Sequence, residues 1–535
     1  MTNRFVVDFR IASQNREDFF HDNWHWPVPQ TEYDRPLAEI VNSGYDIPGQ
    51  LSAEPALQAA YELVELDLIR DLSAALSSWI DVSIGHNKNL DLEFGRDQNF
   101  YRMFVDDRFN DYSMIEDLRT RRYRTFRSKV GRAIRRVRKK SKYMRVDGTS
   151  LTTSPNALTN EVMPSDISAF RLDFDDIVRQ RRSLSHSDAK LASDLASHLA
   201  DQIQTILTRE GHSLTPNGLE YIQQLVEKYI RAGLADRHYK LPLNSQLSSV
   251  TLFTGSGGIY QSRLAAHLIN RAGGTVVRTT HGGDTVLFED PFWVCTEITG
   301  ASQYVTYGRA SSEIISNQFS NHPRAQGVLD SPSIAATGSR HHRSLVDSAD
   351  PQTSVPRGGN VAVISASFTG ELRPVPWVKI HDVVYLEWHA RLLHNVRNLG
   401  FKTISKRHPK GMGAGESLFA DFCDIELKEI GMTSIPTRID GWVTDIAASA
   451  FLEAMCSLKP VVLIDIPSRK MTDLARQRIS ESVQIVEAYF DENNRVAIDT
   501  DKLRQALETP FDIDARRRFL DDFLLTPNNV QVGNV

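Results

Sequence analysis

A histidine and a carboxylate follow a strand-like run in the middle of the chain. The stretch VVRTTHGGDTVLFED begins with β-branched residues at Val276 and continues through His281, Gly282, Gly283 and Asp284. A histidine titrates near neutral pH and can take a proton from a hydroxyl group, and glycines let a substrate approach the backbone. Two interpretations stay open at this point: a base in a cleft, or a polar residue in an ordinary turn.

A cationic turn lies further along the chain, in KRHPKG. Lys406, Arg407 and Lys410 carry charge that can neutralise a diphosphate or phosphodiester, and His408 can donate to a phosphate, a base or a ribose. Pro409 cannot continue a sheet ladder, so the chain must turn there, at the carboxyl end of a predicted strand. Open α/β sheets bind ligands at that edge. A solvated loop is the alternative.

A third candidate is the helix start in VTDIAASAFLEAMC. Ser449 suits an N-cap, and Glu453 follows within the first turn or so. Small residues at this point let a phosphate reach free backbone N–H groups and the positive end of the helix dipole. Ordinary capping also explains Ser449. The pairing with the cationic turn, at strand ends of one predicted sheet, favours anion binding.

Alternation of strand and helix patterns organises the chain from Ser248 onward. Such alternation predicts parallel sheets covered by helices, and the sequence is therefore assigned to the α/β class with two domains. The predicted boundaries are an elaborated first domain over 1–330, a linker over 331–359, a second domain over 360–500 and a helical tail over 501–535. The first domain includes predicted helices within 172–234, and the polar stretch 147–166 is predicted to be a loop.

Composition fits a globular protein of 535 residues, with 41% hydrophobic and 24% charged residues. Three cysteines predict no disulfide framework, and no recognisable metal-ligand spacing is present, so neither a metal nor another cofactor is expected. The first residues lack the apolar segment of a secretory signal, and no run reaches the roughly 18 apolar residues of a spanning helix. A reducing cytoplasmic setting is expected.

One segment concentrates positive charge. Residues Arg119 to Arg145 contain fourteen Lys or Arg and no acid, so the rest of the chain sums to −19 against −5 for the whole. A narrow apolar stripe runs along this predicted helix. Attachment to an anionic membrane surface is the favoured interpretation. The alternatives are a helix packed within a domain and nucleic-acid binding, which we do not expect.

The cationic turn and the helix start together resemble a known group. KRHP, followed by VTDIAASAFLEAMCSLKPVVLID, is similar to the carboxyl-terminal half of GT-B glycosyltransferases that build bacterial surface polysaccharides: capsule Kdo transferases, sialyl- and polysialyltransferases, and CDP-glycerol polymerases. The resemblance implies that His408-Pro409 binds the CMP of a donor and that Ser449 binds its phosphate. The Ser-Ser or Ser-Thr pair of those enzymes corresponds here to Ser449-Ala450.

The same resemblance bears on the first turn. THGGD matches an HG turn that related transferases place at a strand end of the amino-terminal domain, where it binds or deprotonates the acceptor. His281 is thereby implied as base or acceptor ligand. Asp284, Glu289 and Glu297 are alternative bases, or a nucleophile if transfer retains configuration.

Two weaker turns complete the predicted site. Gly255 and Gly257, in TGSGGIY, form part of a dinucleotide fingerprint but lack the complete G-x-G-x-x-G, and we expect them to line the acceptor side. Ser367 and Thr369, in SASFTGELRP, occupy the corresponding first turn of the second domain and are expected to face the donor phosphate. The pair His341-His342 lies in the predicted linker and is interpreted as solvated.

The resemblance implies a GT-B fold of two Rossmann-like domains that face a cleft, with the first domain elaborated by helices. The second domain would hold the nucleotide through Lys406, His408 and Ser449, and the first would hold a glycan or glycolipid acceptor. The implied donor is a CMP-activated ulosonic acid such as Kdo or a sialic acid, used at the inner face of a bacterial plasma membrane. CDP-glycerol, a UDP- or GDP-sugar, and a non-catalytic binding protein on the same scaffold remain alternatives.

Overall fold

The computed structural model describes most of the chain, with interruptions of a few to about forty residues. The described residues are 4–15, 24–95, 99–106, 150–163, 170–171, 184–237, 247–283, 285–289, 297–321, 332–369 and 380–528. The basic segment 119–145 and Asp284 lie outside these ranges, so the predictions made for them are not addressed by the structure.

Strands β1 Arg4–Val6 and β2 Asp91–Glu93 form a small two-stranded parallel sheet. The first domain is built on a six-stranded parallel sheet with the order β4-β3-β5-β6-β7-β8. Its strands are β3 Ser150–Thr153, β4 Phe170–Arg171, β5 Thr251–Thr254, β6 Thr275–Thr279, β7 Gln303–Thr306 and β8 Ser333–Ala336. Strand order reverses between β3 and β5, where successive connections leave toward opposite edges. Ligands of open α/β sheets bind at such a switch point, outside the carboxyl ends of the strands.

The second domain contains a seven-stranded sheet with the order β11-β10-β9-β12-β13-β14-β15, parallel except at the final pair. Its strands are β9 Asn360–Ile364, β10 Lys402–Lys406, β11 Ile425–Leu427, β12 Gly441–Thr444, β13 Val461–Asp465, β14 Gln484–Phe490 and β15 Val496–Ile498. The run VAVI of β9 is buried on both faces, as expected for a central parallel strand. Counted from β9, the first six strands follow the Rossmann order 3-2-1-4-5-6.

Helices cover the sheets and form an additional bundle at the amino-terminal side. The described α-helices are α1 Phe9–Gln14, α2 Gln30–Gln50, α3 Pro55–Asn87, α4 Asn99–Asp106, α5 Ala157–Val162, α6 His186–Arg209, α7 Pro216–Asp236, α8 Tyr260–Arg271, α9 Arg309–Asn321, α10 Arg340–Asp347, α11 Asp382–Asn398, α12 Ser449–Cys456, α13 Asp473–Ser482, α14 Thr500–Glu508 and α15 Ile513–Leu520. None of the described helices is long and apolar enough to span a bilayer.

The bundle is centred on α3, which is buried around most of its circumference and packs against α2, α4, α7 and α8. A helix that is apolar on all sides belongs in a core. The amino-terminal residues also reach the second domain, because Trp26 N–H donates to Asn493 O at 2.9 Å and the Phe9 ring lies 4.7 Å from that of Phe368. The helical elaboration therefore contacts both sheets.

Two predictions, a loop over 147–166 and a linker over 331–359, differ from the structure. The stretch 147–166, predicted as a loop, contains the buried strand β3 and the short helix α5, because SLTT fits between two parallel neighbours although three of its four residues are polar. The predicted linker 331–359 contains β8, the edge strand of the first sheet, and α10. The first sheet therefore extends beyond residue 330.

The carboxyl-terminal tail is helical, as predicted, and returns to the first domain. Helix α14 packs on the second sheet, whereas the π-helical turn Asp521–Leu525 packs on α9. Ser311 Oγ donates to Phe523 O at 2.8 Å across this contact. The predicted α/β class with two Rossmann-like domains is confirmed.

Candidate active site

The cationic turn of the second domain begins where β10 ends. Lys406 is the last residue of the strand and is only 3% exposed, and its Nζ donates to Arg407 O at 2.7 Å. Burial lowers the pKa of Lys406, while the nearby Glu453 carboxylate acts in the opposite direction. His408 and Pro409 are exposed beyond the strand end. The predicted turn is therefore present, with a buried ammonium at its base.

Arg407 is engaged by its own turn. Its guanidinium donates to Glu426 Oε1 at 3.3 Å and to the carbonyl oxygens of Gly413 and Glu416, and the residue is 2% exposed. Burial lowers its pKa, and the charge of Glu426 opposes this effect. Arg407 thus organises the loop 413–416, which differs from the predicted role of neutralising a bound phosphate.

The turn that follows β9 is joined directly to the cationic turn. Met412 N–H donates to Phe368 O at 2.9 Å. Gly411 has φ +111°, and a Cβ atom there would lie 2.6 Å from Phe368 O and 3.0 Å from Ser367 Cβ. Glycine is therefore required for the two backbones to meet. This contact places Ser367 beside the His408 turn.

A carboxylate beneath the sheet edge supports the turn that follows β9. Tyr385 Oη accepts the Ala366 N–H at 2.9 Å and donates to Asp445 Oδ1 at 3.0 Å, and Trp388 Nε1 donates to Asp445 Oδ2 at 2.9 Å. Burial raises the pKa of Asp445 to about 6, although both hydrogen bonds act to lower it. Sequence reasoning did not identify this support, because Tyr385 and Asp445 are sixty residues apart.

Helix α12 begins at Ser449, but Ser449 is not its N-cap. Ala448 occupies that position with extended backbone dihedrals, and no side chain makes a capping hydrogen bond there. The first intrahelical bond runs from Leu452 N–H to Ala448 O, so the N–H groups of Ser449, Ala450 and Phe451 precede the ladder. The N-cap prediction was wrong by one residue, and the resulting helix start leaves its first N–H groups to a ligand or solvent.

Glu453 lies between the two domains. His341 Nε2 is 3.8 Å from Glu453 Oε1, and the charges of His341 and Lys406 act against the burial that raises the pKa of Glu453. The neighbouring His342 is buried, its Nδ1 lies 2.9 Å from Ser339 Oγ, and burial lowers its pKa to about 4. The interpretation of both histidines as solvated linker residues was therefore wrong for His342.

The His281 turn of the first domain lies directly after β6. His281 is exposed, while Gly282 and Gly283 have φ values of +95° and +81°. A Cβ atom at Gly283 would lie 2.8 Å from the Tyr307 ring and 3.1 Å from Leu452 Cδ1. Leu452 belongs to α12, so the His281 turn contacts the helix that begins at Ser449. The two turns that the sequence singled out in separate domains are thus brought together.

Asn156 connects the His281 turn to the glycine-rich turn. Its Nδ2 donates to Gly255 O at 3.0 Å and to Thr280 O at 2.7 Å, while its Oδ1 accepts the Thr159 N–H at 2.8 Å and caps α5. The residue follows β3 at the switch point of the first sheet. The sequence signal, an asparagine before a short helical pattern, indicates a cap but not the two contacts at separations of 99 and 124 residues.

Glu297 is 1% exposed and is directed into the glycine-rich turn. Its carboxylate accepts the Gly257 N–H at 2.7 Å and the Ser256 hydroxyl at 3.1 Å. Glu297 therefore holds the glycine-rich turn in place. A base or nucleophile, as the sequence predicted, would instead be open to the substrate. Among the described residues, no group of three or more His, Cys, Asp or Glu is arranged to hold a metal ion.

The chain shows only a weak likeness to known proteins. No model of a known protein family matches the chain, and a search of curated proteins also finds no match. Among solved structures, Phytolacca americana apo UGT2, a plant UDP-glycosyltransferase of the GT-B fold, is similar over 70% of this chain and 88% of that one, with 12% identity and a TM-score of 0.31. A likeness at this level carries no argument about activity.

Proposed function

We propose that this protein is a GT-B glycosyltransferase that uses a nucleotide-activated sugar, with its active site between the carboxyl edges of the two sheets. The observation that carries the proposal is the approach of Gly283 to Leu452, where a Cβ atom would lie 3.1 Å from Leu452 Cδ1. This contact joins the turn that bears His281 to the helix that begins at Ser449. In a transferase the acceptor site and the donor-phosphate site must be adjacent, so that the acceptor oxygen can reach the sugar carbon.

The second domain would bind the nucleotide donor. The uncapped start of α12 offers backbone N–H groups and the positive end of a helix dipole to a phosphate. Lys406 adds a buried ammonium with three donors, one of which bonds Arg407 O. His408 and Pro409 would contact the nucleoside, and Ser367, on the joined turn, would face the donor phosphate. Charge on the departing nucleotide phosphate would be stabilised by these groups as the sugar bond breaks.

The first domain would bind the acceptor. His281 would take the proton from an acceptor hydroxyl while that oxygen bonds the anomeric carbon of the sugar and the nucleotide leaves with the electron pair. Gly282 and Gly283 would let the acceptor lie against the backbone, and Gly255 is held beside them through Asn156. Asp284 remains an alternative base.

The His-Pro turn favours a CMP-activated ulosonic acid as the donor and a surface glycan as the acceptor. Residues 119–145 would attach the enzyme to an anionic membrane surface through their fourteen basic side chains. Cytidine recognition is the part of this proposal that rests on the resemblance of KRHP to the capsule and sialyl enzymes.

The test is a calorimetric titration of CMP, CDP, UDP and GDP into the whole protein, repeated on His408→Ala and on a matched control, His186→Ala. His186 is exposed on the first turn of α6, in the helical bundle. We expect CMP to bind the wild type and the control equally and to bind His408→Ala at least tenfold more weakly. Selective binding of CDP, UDP or GDP would indicate a different donor nucleotide. The absence of any nucleotide binding would overturn the transferase proposal.

Turnover separates the enzyme from a binding protein on the same scaffold. Once a donor is identified, His281→Ala should remove transfer while leaving nucleotide affinity within about twofold, because His281 lies on the acceptor side. Charge reversal within 119–145 should weaken binding to anionic vesicles and leave transfer to a soluble acceptor intact. The opposite order of effects would favour a non-catalytic role.

A further inference from the structure

The glycine-rich turn of the first domain follows β5 and precedes α8, beside the switch point of the sheet, where open α/β sheets bind ligands and a helix start favours anions. In such turns, backbone N–H groups are left open for the anion. Here Gly257 N–H donates to Glu297 Oε2 at 2.7 Å, and Gly258 N–H donates to Ser256 Oγ at 2.9 Å. Ser256 in turn donates to Glu297 Oε1 at 3.1 Å. The N–H groups at the tip of the turn are thus already used within the protein.

The surroundings of the Glu297 carboxylate are those of an anion site. Arg278 is fully buried and donates to the carbonyl oxygens of Glu297 and Thr299 at 2.8 and 2.7 Å. Arg263, also buried, donates to Gly257 O at 2.8 Å and pairs with Asp67 at 2.6 Å. Burial lowers the pKa of Arg278 to about 10, and the charge of Glu297 counteracts that effect. The Glu297 carboxylate therefore accepts an amide and a hydroxyl directly, and the buried Arg278 is close enough for the Glu297 charge to act on its pKa.

We infer that Glu297 is the permanent occupant of the anion-binding position of this turn, and that the first domain consequently accepts a substrate group without phosphate there. Helices α8 and α12 both begin without a side-chain cap, and the two domains differ in the turn before the helix: Glu297 fills the turn before α8, whereas no side chain makes a capping hydrogen bond at the start of α12. The consequence for the acceptor rests on the proposed function: the acceptor meets the turn as an uncharged hydroxyl-bearing sugar. The occupancy of the turn does not depend on the activity.

The experiment compares Glu297→Ala, which empties the position, with Glu297→Gln, which keeps it filled by an uncharged amide. Glu387→Ala is the matched control, since Glu387 is also buried and pairs with Arg391 on the same helix, α11, in the second domain. Inorganic phosphate is titrated into each whole-chain variant and into the wild type by calorimetry at constant ionic strength, with chloride as the replaced anion.

We expect Glu297→Ala to bind phosphate at least tenfold more tightly than the wild type, and Glu297→Gln and Glu387→Ala to remain within about twofold of it. The gain should persist in Glu297→Ala/His408→Ala, which places it outside the donor site. A folded Glu297→Ala with no gain, or an equal gain in Glu297→Gln, would overturn the inference. If Glu297→Ala unfolds in chloride, its refolding yield in phosphate replaces the titration, and a yield no higher than in chloride contradicts it.

This readout separates the two proposals. A wild type that binds no nucleotide would remove the transferase proposal and the conclusion about the acceptor. The phosphate gain of Glu297→Ala would still decide whether the glutamate occupies an anion position, because no nucleotide takes part in that measurement.

Discussion

The two domains present their strand-end turns in chemically different ways. In the first domain, the turns around Gly255 and His281 are held by the neutral amide of Asn156 and by the enclosed carboxylate of Glu297. In the second domain, the turns carry Lys406 and His408 and are supported by Asp445, whose pKa burial raises to about 6. The first edge thus encloses a carboxylate in its glycine-rich turn, and the second carries Lys406 and His408 close to the start of α12.

This difference indicates how one scaffold used twice can divide the work of group transfer. A Rossmann-like sheet brings loops to its carboxyl edge whatever their sequence, so the choice of ligand rests on which donors the loops leave open. Filling the anion position with a side chain directs anionic ligands away from one domain. Keeping the turn before α12 free of such a side chain directs them to the other.

The largest effect is expected at the contact between the two edges. Gly283→Ala combines a positive φ of +81° with a Cβ atom only 2.8 Å from Tyr307 and 3.1 Å from Leu452. Backbone strain costs about 1–3 kcal/mol and overpacking a similar amount. We expect a large fall in the free energy of unfolding, measured by urea denaturation, together with loss of transfer.

Gly211→Ala is the control, because Gly211 has φ +85° and no neighbour within 4 Å of the added atom. It should cost only about 1–2 kcal/mol, the conformational part of the effect. Equal losses in the two variants would mean that the His281 turn does not rest against α12, and the comparison of the two edges would lose its structural basis.

The second effect depends on pH and concerns only the second domain. Asp445 has a pKa of about 6 in the folded protein, above the ordinary value near 4. Its contribution to stability is therefore fully present below about pH 4 and is lost as the pH rises through 6. Relative to Asp445→Asn, the wild type should lose up to about 1.4 kcal/mol per pH unit between pH 4 and 6, measured by urea denaturation at each pH.

The two buried histidines His381 and His389 affect the pH dependence of stability in the opposite direction, because they destabilise the fold as the pH falls. Burial lowers both pKa values to about 3, so their contribution is lost as the pH falls below about 6.5. Both histidines are present in wild type and variant, and the difference between the two proteins isolates Asp445. If the free energies of unfolding of the wild type and Asp445→Asn changed in parallel with pH, Asp445 would not titrate between pH 4 and 6.

The third effect concerns the neutral support of the first domain. Asn156→Asp keeps the oxygen that caps α5 but loses both amide donors and places a charge beside the carbonyls of Gly255 and Thr280. We expect a loss of about 1–3 kcal/mol in the free energy of unfolding. Acceptor KM should rise or kcat fall at least tenfold, while nucleotide affinity, measured by calorimetry, stays unchanged. A weakened nucleotide affinity would contradict the separation of the two edges.

The sequence predicted the alternating elements well, because apolar runs such as VAVI and VVLI in β9 and β13 fit only buried parallel strands. It did not predict β3, because three of the four residues of SLTT are polar and the segment is stabilised as a strand by its neighbours β4 and β5. The turns at strand ends were predicted where one residue type suffices, as in His281-Gly282 and His408-Pro409, and the roles of these residues stay predictions. Asn156, Tyr385 and Glu297 were missed or misassigned because their roles depend on contacts between residues far apart in the chain.

The smallest effect distinguishes a capping serine from a ligand-binding one. Thr472 is a true N-cap, since its side chain accepts the Ala475 N–H, and Thr472→Ala should cost about 1 kcal/mol. Ser449 stands one residue inside α12 and caps nothing, so Ser449→Ala should change the free energy of unfolding by less than about 0.5 kcal/mol. Nucleotide affinity should nevertheless fall at least about tenfold, because a hydrogen bond to a charged group contributes about 1.5–3 kcal/mol. A Ser449→Ala protein that is destabilised like Thr472→Ala, yet binds nucleotide normally, would make the start of α12 structural and leave Lys406 and His408 as the anion-binding groups of the second domain.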